Sequence, residues 1–348
     1  MFKKLMSAVA AAALCVSLAA CGATATSEAA AEATATPAPA VTEAPAEETA
    51  SAETADGALR VAGLKGPTTM GLVNLMAGED AADYDFEMYG KADEIVPQLV
   101  KGELDAAAVP ANLAATLYQK TNGAIEVACI NTLGVLYILE KGDSIQSMAD
   151  LRGKTIYATG QGANPEYILN YLLTQNGLDP AADVTIQWLT AQEVTANMLS
   201  AEDGVCMLPV PAATALLMKD PGVRQALDLS AEWDAVSSTP LPMGCIVARR
   251  EFVEEHPEAV DAFLDLYGDS ISFMSDEGNR SEAAELVAKY GITANAQIAE
   301  AAIPQCNLTL LTGEEMQDTV QAYYEVLYRA DPAAIGGSIP YDSLYYLP

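Results

Sequence analysis

The chain repeats itself. Residues 85–117 align without a gap on residues 184–216, a shift of 99 positions. In that register Ala92 meets Ala191, Glu94 meets Glu193, Glu103 meets Glu202, Pro110 meets Pro209, Ala114 meets Ala213 and Leu117 meets Leu216. Apolar positions match in kind: Tyr89 with Trp188, Ile95 with Val194, Leu99 with Met198, Val100 with Leu199 and Val109 with Leu208. Identities between two alanine-rich segments can arise by chance, but a shared succession of elements is harder to obtain that way. Each copy reads as strand, short loop, amphipathic helix, strand, Pro-containing loop and helix, which is half of an α/β sheet used twice. Two such lobes leave a cleft between them, and clefts of this kind bind small ligands.

The N-terminus carries a different message. Lys3 and Lys4 precede an apolar run over 5–20, the basic and hydrophobic regions of a secretory signal. The run is too short for a convincing membrane-spanning helix. It ends in Leu18-Ala19-Ala20-Cys21-Gly22, which resembles a bacterial lipobox and implies cleavage before Cys21 and lipidation of its thiol. A plain secretory signal with an incidental Cys21 accounts less well for charge, apolar run and cysteine in this order. Residues 22–56 are almost entirely Ala, Thr, Glu, Pro and Ser, with seven acidic side chains and no Lys or Arg. Such a segment buries too little apolar area to offset chain entropy. It reads as a disordered tether with a reach of roughly 30–35 Å.

The remaining body, 57–348, has 41 acidic and 15 basic side chains, a net charge of −26. That speaks against nucleic acid or anionic lipid headgroups as partners and for a solvated, self-repelling surface. Contact with a membrane is expected through the lipid anchor alone. Of the body's four cysteines, Cys129, Cys206 and Cys245 sit in apolar, strand-like runs, and none, Cys306 included, has a CxxC spacing. Buried free thiols are the expected state; disulfides are the alternative in an exported protein.

The pattern predicts strands at 59–63, 85–89, 105–109, 125–130 and 135–139, with helices ending near 77 and spanning 92–101 and 111–120. It then restarts: strands at 154–158, 184–189 and 204–208, with helices at 164–176, after Thr190, and at 212–218. Thr190-Ala191-Gln192-Glu193 reads as a capping box, and Thr312-Gly313-Glu314-Glu315 as another. A strand at 243–250 leads into one long helix over 251–274. The βαβαβ runs imply parallel sheets with helices on their faces.

Three segments resemble the type II solute-binding proteins of ABC importers. They are Ile95-Val96-Pro97-Gln98-Leu99-Val100-Lys101-Gly102-Glu103-Leu104-Asp105-Ala106, Ser147-Met148-Ala149-Asp150-Leu151-Arg152-Gly153-Lys154-Thr155-Ile156, and the strand-helix segment at 247–260. The nearest branch holds sulfonate, taurine and nitrate binders and binders of thiamine-pyrimidine precursors. The resemblance implies an α/β fold of two Rossmann-like lobes joined by a two-segment hinge, the type II periplasmic-binding-protein arrangement. The first lobe is expected at 57–132 plus 246–348 and the second at 133–245, with crossings near 131–135 and 240–248. It further implies a monomer that closes on one small solute and delivers it to an ABC permease at the outer face of a bacterial cell membrane.

In doubly wound sheets ligands sit beyond the carboxyl ends of the strands. That selects the loops at 64–69, 90–91, 110–112, 159–164, 189–190 and 209–211. The segment Lys65-Gly66-Pro67-Thr68-Thr69 reads equally as a capped helix start and as an anion-binding turn, with Lys65, Thr68 and Thr69 as contacts. Gln161 and Asn164 lie in the matching loop, which reads as a simple turn or as a binding loop and is not a dinucleotide fingerprint. Lys91 serves either solvent or a cleft anion, Asn112 either a helix start or the ligand, and Thr190 completes the set. Few charges and no acid fall among these residues, so a polycation and a multiply charged phosphate are disfavoured. A neutral heterocycle or monoanion fits, capped by Tyr89, Tyr157 or Trp188 unless these rings belong to the core.

An enzyme on the same fold, or an exported sensor, is the alternative. His256 is the only histidine, in Glu254-Glu255-His256-Pro257, so Ser-His-Asp and multi-His metal sites lose support. No GxSxG or GxxxxGK[ST] element occurs in the repeat. The related pyrimidine-synthesising enzymes rely on a histidine and a Cys-rich run not found here. No catalytic residue, metal ligand or cofactor is therefore expected.

Overall fold

The computed structural model describes residues 58–348. The signal at 1–20, Cys21 and the tether at 22–56 lie outside the described residues. The chain first lays down β1 (Leu59–Leu64), β2 (Tyr84–Tyr89), β3 (Ala106–Pro110) and β4 (Ile125–Thr132). It crosses at 133–135 and builds a second sheet from β5 (Leu136–Lys141), β6 (Thr155–Ala158), β7 (Thr185–Trp188), β8 (Gly204–Pro209) and β9 (Val223–Asp228). It then returns with β10 (Gly244–Arg249) and β11 (Leu308–Leu311) to the first sheet. The strand orders are β11-β4-β10-β3-β1-β2 and β7-β6-β8-β5-β9.

The two orders are the same order. Leaving out β11, the first sheet reads β2-β1-β3-β10-β4 and the second β7-β6-β8-β5-β9, with the repeat pairing β2 to β7 and β3 to β8. Neither sheet is purely parallel. β10 runs antiparallel to β3 and β4, and β5 antiparallel to β8 and β9. These are the strands that enter each sheet directly from a crossing. A chain arriving at the carboxyl ends of the other strands can only continue in the opposite direction.

Helices cover the faces. α1 (Pro67–Met70), α2 (Val73–Ala77), α3 (Ala92–Lys101) and α4 (Ala111–Lys120) follow the first strands. α5 (Asn164–Gln175), α6 (Ala191–Ser200), α7 (Ala212–Lys219) and α8 (Leu229–Asp234) follow those of the second sheet. The return supplies α9 (Arg250–Glu255), α10 (Pro257–Ser275), α11 (Arg280–Lys289), α12 (Ala296–Ala302) and α13 (Gly313–Ala330). None of the described helices is long and apolar enough to cross a membrane.

The largest apolar core runs through both sheets. It joins Val109 and Ile130 of the first to Ile138, Ile156 and Met207 of the second. Trp233 of α8 seals it: its ring lies 5.2 Å from Tyr171 of α5 and 5.8 Å, edge-on, from Tyr323 of α13. Cys129, Cys206, Cys245 and Cys306 are buried and unpaired, and burial pushes the Cys129, Cys206 and Cys306 thiols up to about 12.

Several expectations need correction. The helix over 251–274 is two helices, α9 and α10, broken at His256, because a residue before proline is pushed out of the helical region. Thr312 is the N-cap of α13, but its side chain caps nothing. β9, α8 and β11 had no counterpart in the sequence pattern.

Candidate functional site

The carboxyl ends of the strands meet at one residue. The Met243 carbonyl accepts from the Ala111 amide at 3.0 Å and from Asn164 Nδ2 at 2.9 Å, and its amide donates to the Thr132 carbonyl at 2.9 Å. One buried residue thus ties the ends of β3 and β4 to the start of α5. Close by, the Val210 amide after β8 donates to the Val135 carbonyl at 2.9 Å. Asn131 Nδ2 donates to the Thr68 carbonyl at 2.8 Å, fastening α1 to β4. Glycine permits this closeness: a Cβ on Gly244 would stand 2.6 Å from both Asn131 Oδ1 and Thr68 Cγ2.

The sequence candidates divide into two groups here. Lys65, Lys91, Gln161 and Thr190 are exposed, and neither lysine has an ion-pair partner among the described residues. Thr68, Thr69, Asn112 and Asn164 are buried. Asn164 is a joint between the sheets: Oδ1 accepts from the Asn112 amide at 3.3 Å and the Tyr323 hydroxyl at 2.9 Å, while Nδ2 holds Met243. Asn112 Nδ2 donates to the Ala334 carbonyl at 3.2 Å.

Four polar atoms at these strand ends have no partner among the described residues: Thr69 Oγ1, Asn112 Oδ1, Asn131 Oδ1 and Thr159 Oγ1. Buried polar atoms are nearly always paired, so these four need an explanation, as do those elsewhere among the described residues, such as Thr214 Oγ1, Ser230 Oγ and the Tyr267 hydroxyl beside Asn131. The two amide oxygens are true acceptors, because each Nδ2 is committed to a carbonyl, which fixes the orientation of the group. Sequence reading did not single out Asn131 or Thr159. The signal for Asn131 was present: it and Thr132 are polar residues closing a strand buried along its whole length.

Carboxylates already occupy four of the loop amides. Glu94 accepts from the Gly90 and Lys91 amides at 3.0 and 3.1 Å. Its repeat mate Glu193 accepts from the Thr190 amide and hydroxyl, both at 2.8 Å, which holds its carboxyl below the usual range. Glu166 accepts from the Gly162 amide at 2.6 Å. The start of α1 differs. Its first turn has no acid, and the Gly66 and Thr68 amides donate to no described residue. Of the loops considered, 65–69 keeps open amides that an incoming acceptor would need, and so does 159–164, where the Gly160, Gln161 and Asn164 amides donate to no described residue.

The aromatic candidates are half-buried. Tyr89 donates to Gln98 Oε1 at 2.9 Å and lies against the Glu87 carboxylate; burial first, then Glu87, pushes its phenol up to about 12. Trp188 packs on the large core and Tyr157 on the core beneath α6 and α7. His256 is exposed, with its ring 4.9 Å from Phe252. No cluster of metal-ligating side chains occurs among the described residues.

A sequence model of the NMT1-like family matches residues 87–288. Proteins of Brucella abortus and Brucella suis named as binding proteins are 24% identical over 208 residues, 60% of this chain and 62% of theirs. The chain thus spans less than two thirds of the length of these curated relatives. Among solved structures, an ABC transporter protein from Parabacteroides distasonis aligns with a TM-score of 0.72 at 23% identity, covering 84% of this chain and 99% of that one. The periplasmic aliphatic sulphonate binding protein of Escherichia coli gives 0.65 at 17%, covering 79% and 93%. The periplasmic nitrate-binding protein of Synechocystis gives 0.53 at 12%, covering 74% of each. At these identities the likeness is one of fold.

Proposed function

The chain belongs to the NMT1-like family, and from that premise we propose that it is the solute-capturing component of an ABC importer, held at the membrane through a lipid on Cys21. The observation that carries the reading is the seam. Buried side-chain oxygens of Thr69, Asn112, Asn131 and Thr159, without a partner among the described residues, stand near the strand ends of two sheets of like order. The named binding functions of the sulphonate and nitrate proteins of like fold support the same reading.

The mechanism follows from the two crossings. Only 133–135 and the segment between α8 and β10 connect the sheets along the chain, so rotation there opens and closes the seam. A solute that contacts the 65–69 loop on one side and the 159–164 loop on the other gains both sets of contacts only when the lobes approach. That difference in contact is what shifts the population toward closure. Lys65, Thr68, Thr69, Lys91, Asn112, Gln161 and Thr190 are the proposed contacts, joined by Asn131 and Thr159, and Asn164 serves chiefly as the joint behind them. Residues 57–132 and the return from β10 onward form one lobe, and the intervening sheet the other.

Native mass spectrometry of protein released gently from its membrane should show a co-purified small molecule. Solution scattering with that molecule added back should give a smaller radius of gyration than the stripped protein. A demonstrated tight ligand that leaves the radius unchanged removes the closure mechanism.

A further inference from the structure

A cavity lies away from the seam. It is a groove of about 830 Å³ between α5 and the last turn of α13. Volumes of this order hold drug-sized ligands. α5 packs with α8 in the second lobe, whereas α13 packs on β4 and α4 of the first. The groove walls thus follow different sheets, and they also pack on each other and share the Tyr323–Asn164 hydrogen bond.

The lining has a definite chemistry. Tyr167 and Tyr171 present half-buried rings, and Glu166, Asp179 and Asp331 supply carboxylates. The one cation in the lining, Arg329, is paired with Glu325 at 2.9 Å. Burial, then Asp331 and Glu166, pushes the Tyr167 phenol up, in keeping with a negative field over that ring. Aromatic faces beside uncompensated carboxylates attract an organic cation through charge and through the ring quadrupole.

The groove is also wired to the seam from both sides. Glu166 accepts from the Gly162 amide in the loop before α5. Asp331 accepts from the Ala333 amide at 2.9 Å, capping the 3-10 turn Pro332–Ile335, whose Ala334 carbonyl holds Asn112. We propose that this groove is a second binding site, for an organic cation with an aromatic or aliphatic body, whose occupation acts on the seam through Glu166–Gly162 and Asp331–Ala334–Asn112.

The test uses full-length protein with labelled tyrosine rings, glycine amides and asparagine side chains, titrated with benzyltrimethylammonium. Phenylmethanesulfonate, with the same ring and opposite charge, is the control. The cation should move the Tyr167 and Tyr171 ring resonances saturably and carry Gly162 and the Asn112 amide with them; the anion should leave both rings unmoved, whatever it does at the seam. The pair Asp179→Asn and Asp331→Asn keeps an oxygen to accept from Ala181 and Ala333. It removes two charges and should weaken the cation roughly tenfold. Tyr167→Leu, which keeps apolar bulk, should weaken it as well. Unmoved groove rings, equal response to the anion, or wild-type affinity in both variants would overturn the site. Ring shifts with Gly162 and Asn112 unmoved would overturn the link to the seam.

Discussion

Asp105 shows how much one side chain can organise. It is 2% exposed and sits just before β3. Arg60 donates to it through Nε at 2.7 Å and through its own amide at 3.1 Å, and Arg249 Nη2 adds a contact at 3.3 Å. A residue of β1 and a residue of β10 are thus held to the head of β3. Asp105→Asn leaves two guanidinium groups beside a neutral amide, and the expected loss is roughly 2–4 kcal/mol in urea denaturation. The same residue sets an acid limit. Burial alone would raise the Asp105 carboxyl, but the Arg60 and Arg249 hydrogen bonds outweigh it and the net shift is downward. Glu140 behaves alike: burial is outweighed by Ser144, Ile145 and Arg224. For a depressed carboxyl the stabilisation is complete above the unfolded value, near 4, and is lost as pH falls through the folded one. Melting temperature should therefore hold from neutrality down to about pH 4 and drop below it, with Asp105→Asn showing a shallower fall. A variant as acid-sensitive as wild type would assign the limit to other groups.

At the scale of elements the repeat is what the sequence expressed best. Helices α3 and α6 occupy Ala92–Lys101 and Ala191–Ser200, the same ten positions at a shift of 99. Their periodicity and the acid at the third helical position were both visible. Glu94 and Glu193 each accept from the amide at the head of their helix. Glu94→Ala and Glu193→Ala should each cost about 1 kcal/mol. Because the helices pack on different sheets, the double variant should show the sum to within a few tenths of that. A large departure from additivity would mean that the two lobes communicate through these caps. What the sequence hid has physical reasons. β9 alternates weakly in Val223-Arg224-Gln225-Ala226-Leu227-Asp228, because it is an edge strand with one neighbour. β11 is four half-buried residues at an edge of the first sheet. The apolar face over 251–274 is continuous in sequence, yet Pro257 interrupts it without changing which residues face the core. The candidate site was legible as loops but not as atoms. Strand ends could be located from turn residues, but that Asn164 is spent on Met243 and Tyr323 depends on contacts across 79 and 159 positions.

The whole molecule joins three properties that make sense together: a seam between two like sheets, a strongly acidic body and a sequence at 18–22 that resembles a lipobox, ahead of an acidic segment at 22–56. If the thiol of Cys21 carries the lipid, Cys21→Ala should release the protein from membrane fractions, since a surface of net charge −26 over 57–348 has no affinity for anionic headgroups. Full retention of that variant would remove the lipobox reading. The same charge bears on what the seam admits. Lys65 and Lys91 are unpaired among the described residues, while Glu94, Glu166 and Glu193 turn a carboxylate toward four of the loop amides. A multiply charged phosphate would meet too few cations to replace its water. A polycation would find no carboxylate among the unpartnered atoms at the seam, which are neutral side-chain oxygens. A neutral heterocycle or a monoanion matches that inventory. It would offer donors to Asn112 Oδ1 and Asn131 Oδ1 and an acceptor to the Gly66 and Thr68 amides. Thermal-shift screening of sulfonates, pyrimidines, polyamines and sugar phosphates, with calorimetric titration of each hit, should return its binders from the first two groups. Asn131→Asp should then weaken a neutral ligand modestly and a monoanion severely, because it places a negative charge beside the bound group. A polyamine or sugar phosphate that binds at micromolar affinity, with none among the heterocycles and monoanions, would overturn this assignment.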